Sequence, residues 1–257
     1  MERDWTWIHT LVPIKGSIRK VWLKVGRLIE QFGIRLGRWQ YYVAAEGDED
    51  IELKGDEVTW EAIFDWQEKH WSGKEFSVFN LDYEDEDWFE AELVLLREPR
   101  FGQDLGILEG RFDVEWWSIN LGFHEATMKL RGYEFCDRMM ALGKEIFIQF
   151  DGVFGVAGHE FAVVGMPDYM GGFYPHYYAS VEFLKLLKEG VLREVPERKY
   201  PLWSLIWFYL LNREIYEASK EYIGKLTFKR VEELPSGGVF LFVDYPYVFE
   251  CVDRPYI

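Results

Sequence analysis

Between Ser17 and Gln31 apolar side chains fall at Ile18, Val21, Trp22, Val25 and Ile29, with Phe32 just beyond, and Arg19, Lys20, Lys24 and Arg27 fill the positions between them. This spacing predicts an amphipathic helix, and Ser17 offers the side-chain oxygen of an N-cap. The same period from about Glu57 to Trp71 puts Trp60, Ile63, Phe64 and Trp71 on one stripe and Glu61, Asp65, Glu68 and Lys69 opposite. A stripe of this kind reads as core. A third helix is predicted from about Gly132 to Leu142, carrying Phe135, Cys136, Met139 and Met140 and ending at Gly143. Further helices are expected from Ser180 to Lys188 and from about Pro201 to Ile223.

A glycine followed by a cation recurs at Gly37-Arg38, Gly73-Lys74, Gly143-Lys144 and Gly224-Lys225. Glycine closes a helix in the left-handed conformation, and a cation there faces the negative end of the helix. Each pair therefore reads as a helix-to-strand junction. Strands are predicted at Trp39 to Ala44, Gly73 to Phe79, Phe89 to Leu96, Ile107 to Asn120, Gly143 to Phe150 and Phe161 to Val164. A hairpin from Leu226 to Val231 and Val239 to Val243, turning at Pro235-Ser236-Gly237-Gly238, closes the series.

Helices interleaved with strands on short turns favour antiparallel pairing. The expected class is α+β, a mainly antiparallel sheet or sheets with helices packed on one face. Likeness between Gly73-Lys74-Glu75-Phe76 and Gly143-Lys144-Glu145-Ile146 suggests repeated αββ units. No Pro-, Gly- or Ser-rich linker divides the chain, so residues 1–257 read as a single domain with pseudo-repeat halves of about 1–123 and 124–257.

Composition sharpens this outline. Twelve Trp, 15 Tyr and 20 Phe in 257 residues supply large buried areas, and a 49% hydrophobic fraction excludes a disordered chain. The two cysteines, Cys136 and Cys251, are too few and too far apart for a disulfide framework or a zinc site, and read as small buried hydrophobes. Few amides beside 29% charged residues resemble a thermophile protein. The first residues lack a basic start and an apolar run, so the expected location is the cytoplasm. Pro201 to Leu211, apolar apart from Ser204, is too short to span a membrane, which needs about 20 residues, and reads as a buried helix turn or a core strand.

Formal charge is 29 − 45 = −16, which excludes a general nucleic-acid binder. The excess is local. Lys15 to Arg38 holds seven bases and one acid, while Glu46 to Glu92 holds 18 acids and three bases. Asp82, Tyr83, Glu84, Asp85, Glu86, Asp87 and Trp88 form its densest part. One reading is a solvated face. A second is a docking surface for a basic protein or peptide, aromatic anchors inside a charged rim. A third has the basic helix 17–31 meet these acids, within one molecule or by self-association. No membrane partner is expected, because the helix's apolar stripe reads as core.

Catalytic signatures fail one by one. His124-Glu125 and His159-Glu160 begin like HExxH, but Met128 and Val163 stand where the second histidine belongs. No serine lies in G-x-S-x-G, no glycine precedes a Gly-Lys pair as in a P-loop, and Gly152 to Gly158 does not match G-x-G-x-x-G. One stretch, 151–178, gathers Asp151, His159, Glu160, Asp168 and His176 among glycines and aromatics. Imidazole and carboxylate suit a divalent metal or proton transfer. His159, Glu160 and Asp151 are thus the catalytic candidates and His159, Asp168 and His176 the metal candidates of an alternative reading, a metal-dependent hydrolase or small-ligand binding protein. The preferred expectation is a non-enzymatic acidic interaction protein without a cofactor.

Overall fold

The computed structural model describes residues 5–37, 39–42, 51–54, 58–70, 75–78, 81–83, 91–97, 115–159, 206–224 and 227–246. Its centre is a strand that no periodicity announces. β1 (Trp5–Ile14) is buried on both faces, so apolar residues occupy odd and even positions alike and the alternation of a half-buried strand is lost. On one side it pairs antiparallel with β8 (Glu115–His124), on the other with β9 (Phe154–His159).

The remaining strands extend this pair outward. β7 (Ala91–Arg97) joins β8, and β5 (Glu75–Val78) joins β7. On the other flank lie β10 (Ile206–Leu211), β12 (Val239–Phe242) and β11 (Arg230–Glu233). The order is β11-β12-β10-β9-β1-β8-β7-β5, antiparallel throughout. Two short ladders stand apart: β2 (Ile34–Leu36) with β6 (Leu81–Tyr83), and β3 (Trp39–Tyr42) with β4 (Ile51–Lys54). The class is α+β, as expected.

Three helices cover one sheet face: α1 (Ile18–Gln31), α2 (Trp60–His70) and α3 (Glu125–Gln149). Register places Ile8, Val12, Leu121, Phe123, Leu93, Leu95, Phe76 and Phe208 on that face, all in one cluster with Trp22, Val25, Ile29, Ile63, Phe64, Met139 and Phe147 from the helices. Rings organise its centre. Phe64 stacks on Phe76 at 4.5 Å, and Trp22 meets Trp60 edge-on at 5.5 Å. Burial of each such ring contributes several kcal/mol. α4 (Arg213–Ile223) follows β10, its first turn held by Asn212 Oδ1 accepting from Ile215 N–H at 2.8 Å.

Several predicted boundaries are corrected. Gly143 does not end a helix: α3 continues to Gln149, so the strand predicted from Gly143 to Phe150 is helical. The glycine serves packing instead, since a Cβ there would lie 3.1 Å from Phe208 and 3.2 Å from Ile8. The helix begins earlier than predicted, at Glu125, and breaks its own geometry at Gly132 (φ +75°). α1 ends at Gln31 with Gly33 at φ +87°, ahead of the predicted junction at Gly37. Ile206 to Leu211 is the core strand of the two alternatives, not the start of a helix; α4 ends at Ile223 as expected, but the strand after it runs Arg230–Glu233 rather than Leu226 to Val231. The hairpin turn is as predicted, with Gly237 at φ +79° and Leu234 N–H donating to Gly238 O at 2.8 Å.

Repetition of αββ units is not established. Among the described residues α4-β11-β12 has that form and α3 is followed by the paired strands β9 and β10, but α2 lacks it, because β5 pairs with β7 while β6 pairs with β2. The predicted strand 161–164 and helix 180–188 lie outside the described residues.

One sheet edge is closed by a side chain. Gln67 of α2, fully buried, donates through Nε2 to the Ser77 carbonyl and accepts at Oε1 from Ser77 N–H at 3.0 Å. The amide imitates a further strand on β5, where exposed N–H and C=O groups would otherwise invite pairing. Gln67→Leu removes both bonds and leaves two buried backbone groups unsatisfied. The expected loss is about 2–4 kcal/mol by chemical denaturation, and a loss under about 1 kcal/mol would exclude this role.

Candidate functional site

The acidic candidate surface begins on a strand bound to the basic segment. β6 and β2 pair with Arg35 directly opposite Asp82 and Ile34 opposite Tyr83. The strand carrying Asp82 and Tyr83 is thus anchored beside α1, and Glu84, Asp85, Glu86, Asp87 and Trp88 follow it, outside the described residues. Where β2 leaves α1 and meets the start of α2 there is a cleft of about 530 Å³. Arg27, Glu30, Arg35, Leu36, Trp60 and Glu61 contribute to its walls. Trp60 Nε1 donates to Glu30 Oε1 at 2.7 Å, and Thr59 Oγ1 caps α2 by accepting from Ala62 N–H at 3.1 Å.

Two bases of α1 are engaged close to home. Arg19 forms a two-pronged ion pair with Asp65 of α2, its second contact at 3.2 Å. Asp65, then Glu68 and Glu61, hold the guanidinium above its ordinary pKa. Both partners are well exposed, so the pair contributes little stability. Lys24 donates to the Gln149 carbonyl at 2.9 Å and sits 4.6 Å over the Phe150 ring. A lysine at the end of α3 satisfies a terminal carbonyl and opposes the helix's negative end. Trp22, Val25 and Ile29 are fully buried, so the apolar side of α1 is core.

A polar group that sequence reasoning passed over lies at the heart of the sheet. His9, 1% exposed, is on the face opposite the three helices, its Nδ1 2.6 Å from Asn120 Oδ1. Asn120 Nδ2 donates to Val94 O at 3.1 Å and to Ser118 Oγ at 3.0 Å. Both amide hydrogens being used there, Oδ1 is the acceptor and His9 carries its proton on Nδ1. Burial drives the His9 pKa down to about 4, against a smaller upward push from the Asn120 bond. The imidazole is neutral at pH 7, sealed from solvent, and bolts β1, β8 and β7 together. It missed notice because β1 itself carries no strand signature.

The stretch 151–178 is described only to His159. Asp151, exposed and at φ +52°, terminates α3, and Gly152 N–H returns to Phe147 O at 2.7 Å. Gly155 lets β9 approach β10, since a Cβ would come within 2.9 Å of Leu210. These glycines pack strands. Backbone register sets His159 opposite Thr6, while Glu160, Asp168 and His176 lie outside the described residues. Among the described residues no group of three or more His, Cys, Asp or Glu is placed to hold a metal ion. His124 caps α3, its Nδ1 accepting from Ala126 N–H at 3.3 Å. Cys136 is buried, and desolvation pushes its thiol up to about 12. Cys251 lies outside the described residues. No helix among them is long and apolar enough to cross a membrane.

No family model matches the chain, and no curated protein is similar to it in sequence. Among solved structures, the Pseudomonas aeruginosa T6SS protein PA0821 is similar over 95% of this chain and 67% of its own, with a TM-score of 0.48 and 12% sequence identity. A likeness of that degree assigns no family and no function.

Proposed function

We propose that this chain is a non-enzymatic acidic interaction protein whose stretch from Asp82 to Glu92, with the adjoining cleft at Arg35, Leu36 and Trp60, docks a basic protein or peptide. The observation that carries it is arithmetic. With 45 acids and 29 bases, at least 16 acids have no base of their own even if every Lys and Arg is paired internally. Eighteen acids but only three bases lie between Glu46 and Glu92; of the neighbouring basic helix Arg19 matches one of them, Asp65, and Lys24 is engaged by a carbonyl instead. Tyr83, Trp88 and Phe89 supply apolar anchors inside the charged rim, and a basic partner would be steered to them by long-range attraction.

The test is binding of a Lys- and Arg-rich peptide by isothermal titration calorimetry. Affinity is expected to fall at least about tenfold between roughly 50 and 500 mM salt, because screening shortens the reach of surface charge. Reversing Glu84, Asp85, Glu86 and Asp87 together to lysine is expected to abolish binding while leaving the circular dichroism spectrum unchanged. An affinity indifferent to both salt and reversal rejects the proposal.

A further inference from the structure

The two ends of the large sheet are treated differently. Gln67 covers β5, whereas β11 pairs only with β12 among the described strands, with Arg230, Val231 and Glu233 exposed and Glu232 half-buried. Val231 is 57% exposed. Read across this edge, Lys229-Arg230-Val231-Glu232-Glu233 reverses its own charge about the central valine. We propose that β11 is a self-complementary edge by which a second copy of this chain adds antiparallel, around a two-fold axis at Val231.

Hydrogen-bond direction supports this register. Leu234 N–H donates to Gly238 O, and backbone groups of an antiparallel strand alternate, so Glu232 and Arg230 face β12. The N–H and C=O of Val231 and Glu233 therefore point outward. About the two-fold, each Val231 donates to and accepts from the other and Arg230 lies opposite Glu232, while Lys229 is held inward, its N–H on Phe242 O at 2.9 Å and its ammonium on Asp244 at 2.5 Å. Charges on an edge ordinarily repel strands at large. Here their order suits one partner, an identical strand running the other way.

Aromatic surface adjoins the Arg230 end of this edge. The large exposed hydrophobics among the described residues are Leu130 (75%), Tyr133 (54%) and Val231 (57%). Tyr133 packs on Tyr245 at 4.6 Å, Tyr245 on Phe242 at 5.3 Å, and Phe242 sits opposite Arg230 in the ladder. An apolar patch thus borders the charged edge, the arrangement of an interface with a polar seam. A ladder centred on three residues of each strand and a small patch fit a dissociation constant in roughly the micromolar range.

Sedimentation equilibrium of the full chain from about 5 to 500 μM tests the proposal, with a reversible monomer–dimer equilibrium expected in this range of weak interfaces. Arg230→Glu and Glu232→Arg each turn two attractive cross-strand pairs into repulsive ones, and each is expected to weaken the dimer about tenfold or more. Mixed in equal amounts, the two variants complement each other, and native mass spectrometry is expected to show a heterodimer restored to near wild-type affinity. That recovery is something a folding defect cannot produce, which matters because Glu232 also pairs with Lys144 at 2.6 Å. Val231→Pro removes an outward N–H without touching the β12 ladder, and is expected to abolish the dimer with the unfolding midpoint kept. A monomer at the highest concentration, a dimer indifferent to these substitutions, or a mixture that does not recover overturns the inference.

Discussion

Lowering the pH from about 7 to 4 is expected to remove about 3 kcal/mol of stability through His9 alone. In the unfolded chain this imidazole titrates near its ordinary 6.5, whereas in the fold burial holds it at about 4. Between these values the unfolded state binds a proton that the folded state refuses, so stability is complete above about 6.5 and drains away as pH falls through the window. Each pH unit is worth roughly 1.4 kcal/mol, which sets the magnitude. The carboxylates also titrate near the lower end, so the comparison that isolates His9 is a variant. His9→Asn keeps an amide N–H near the position of Nδ1 and its bond to Asn120, and its stability curve is expected to be flatter than wild type by that amount. A histidine proton resonance for His9 titrating near 6.5 would contradict the sealed position.

Gly26→Val is expected to cost about 3 kcal/mol or more, although the exchange adds a side chain at a helical position. A Cβ at Gly26 would stand 2.5 Å from Trp60 Cδ2 and 2.6 Å from Cε2, well inside contact distance. The indole has little room to yield. Trp22 Nε1 donates to the Trp60 carbonyl at 2.8 Å, and Trp60 Nε1 is held by Glu30. Replacing glycine by alanine gains about 1 kcal/mol of helix propensity, and overpacking a core costs about 1–3 kcal/mol. Gly26→Ala is therefore expected to be net destabilising by thermal or denaturant unfolding, and Gly26→Val, with two more methyl groups, severely so. A stabilised Gly26→Ala would show that α1 and α2 can separate at no cost.

What the sequence made legible follows from which signals are local. α1 was readable because its polar and apolar sides differ; Ser17 stands at its N-cap but makes no side-chain cap bond, and the turn at Gly33 was read four residues too late, at Gly37. The β11–β12 hairpin was readable because Pro235 to Gly238 admits few conformations. β1 was not, and β10 only as one of two alternatives, because each is buried so thoroughly that periodicity vanishes. The second half of α3 was hidden differently: Gly143-Lys144 reads as a helix stop although Met139, Met140, Gly143, Ile146 and Phe147 are buried at helical spacing. Ile146 and Phe147 suit a strand as well as the last turns of a helix, and only the close approach to Phe208 and Ile8 explains why Gly143 lies inside that helix. The His9–Asn120 pair was invisible for the related reason that 111 residues separate its members. Of the predicted binding residues, Asp82 and Tyr83 fall on β6 beside Arg35 and Ile34, a pairing that no local pattern foretold.

The central place of β1 bears on how the protein is made. Thr6 finds Phe123 on one flank and His159 on the other, so residues 5–14 leave the ribosome long before either neighbour exists. At ordinary rates of synthesis that wait lasts on the order of ten seconds, during which a segment apolar on both sides is exposed to the cell. α1 follows it directly, and the large sheet closes only when β8 and then β9 reach β1.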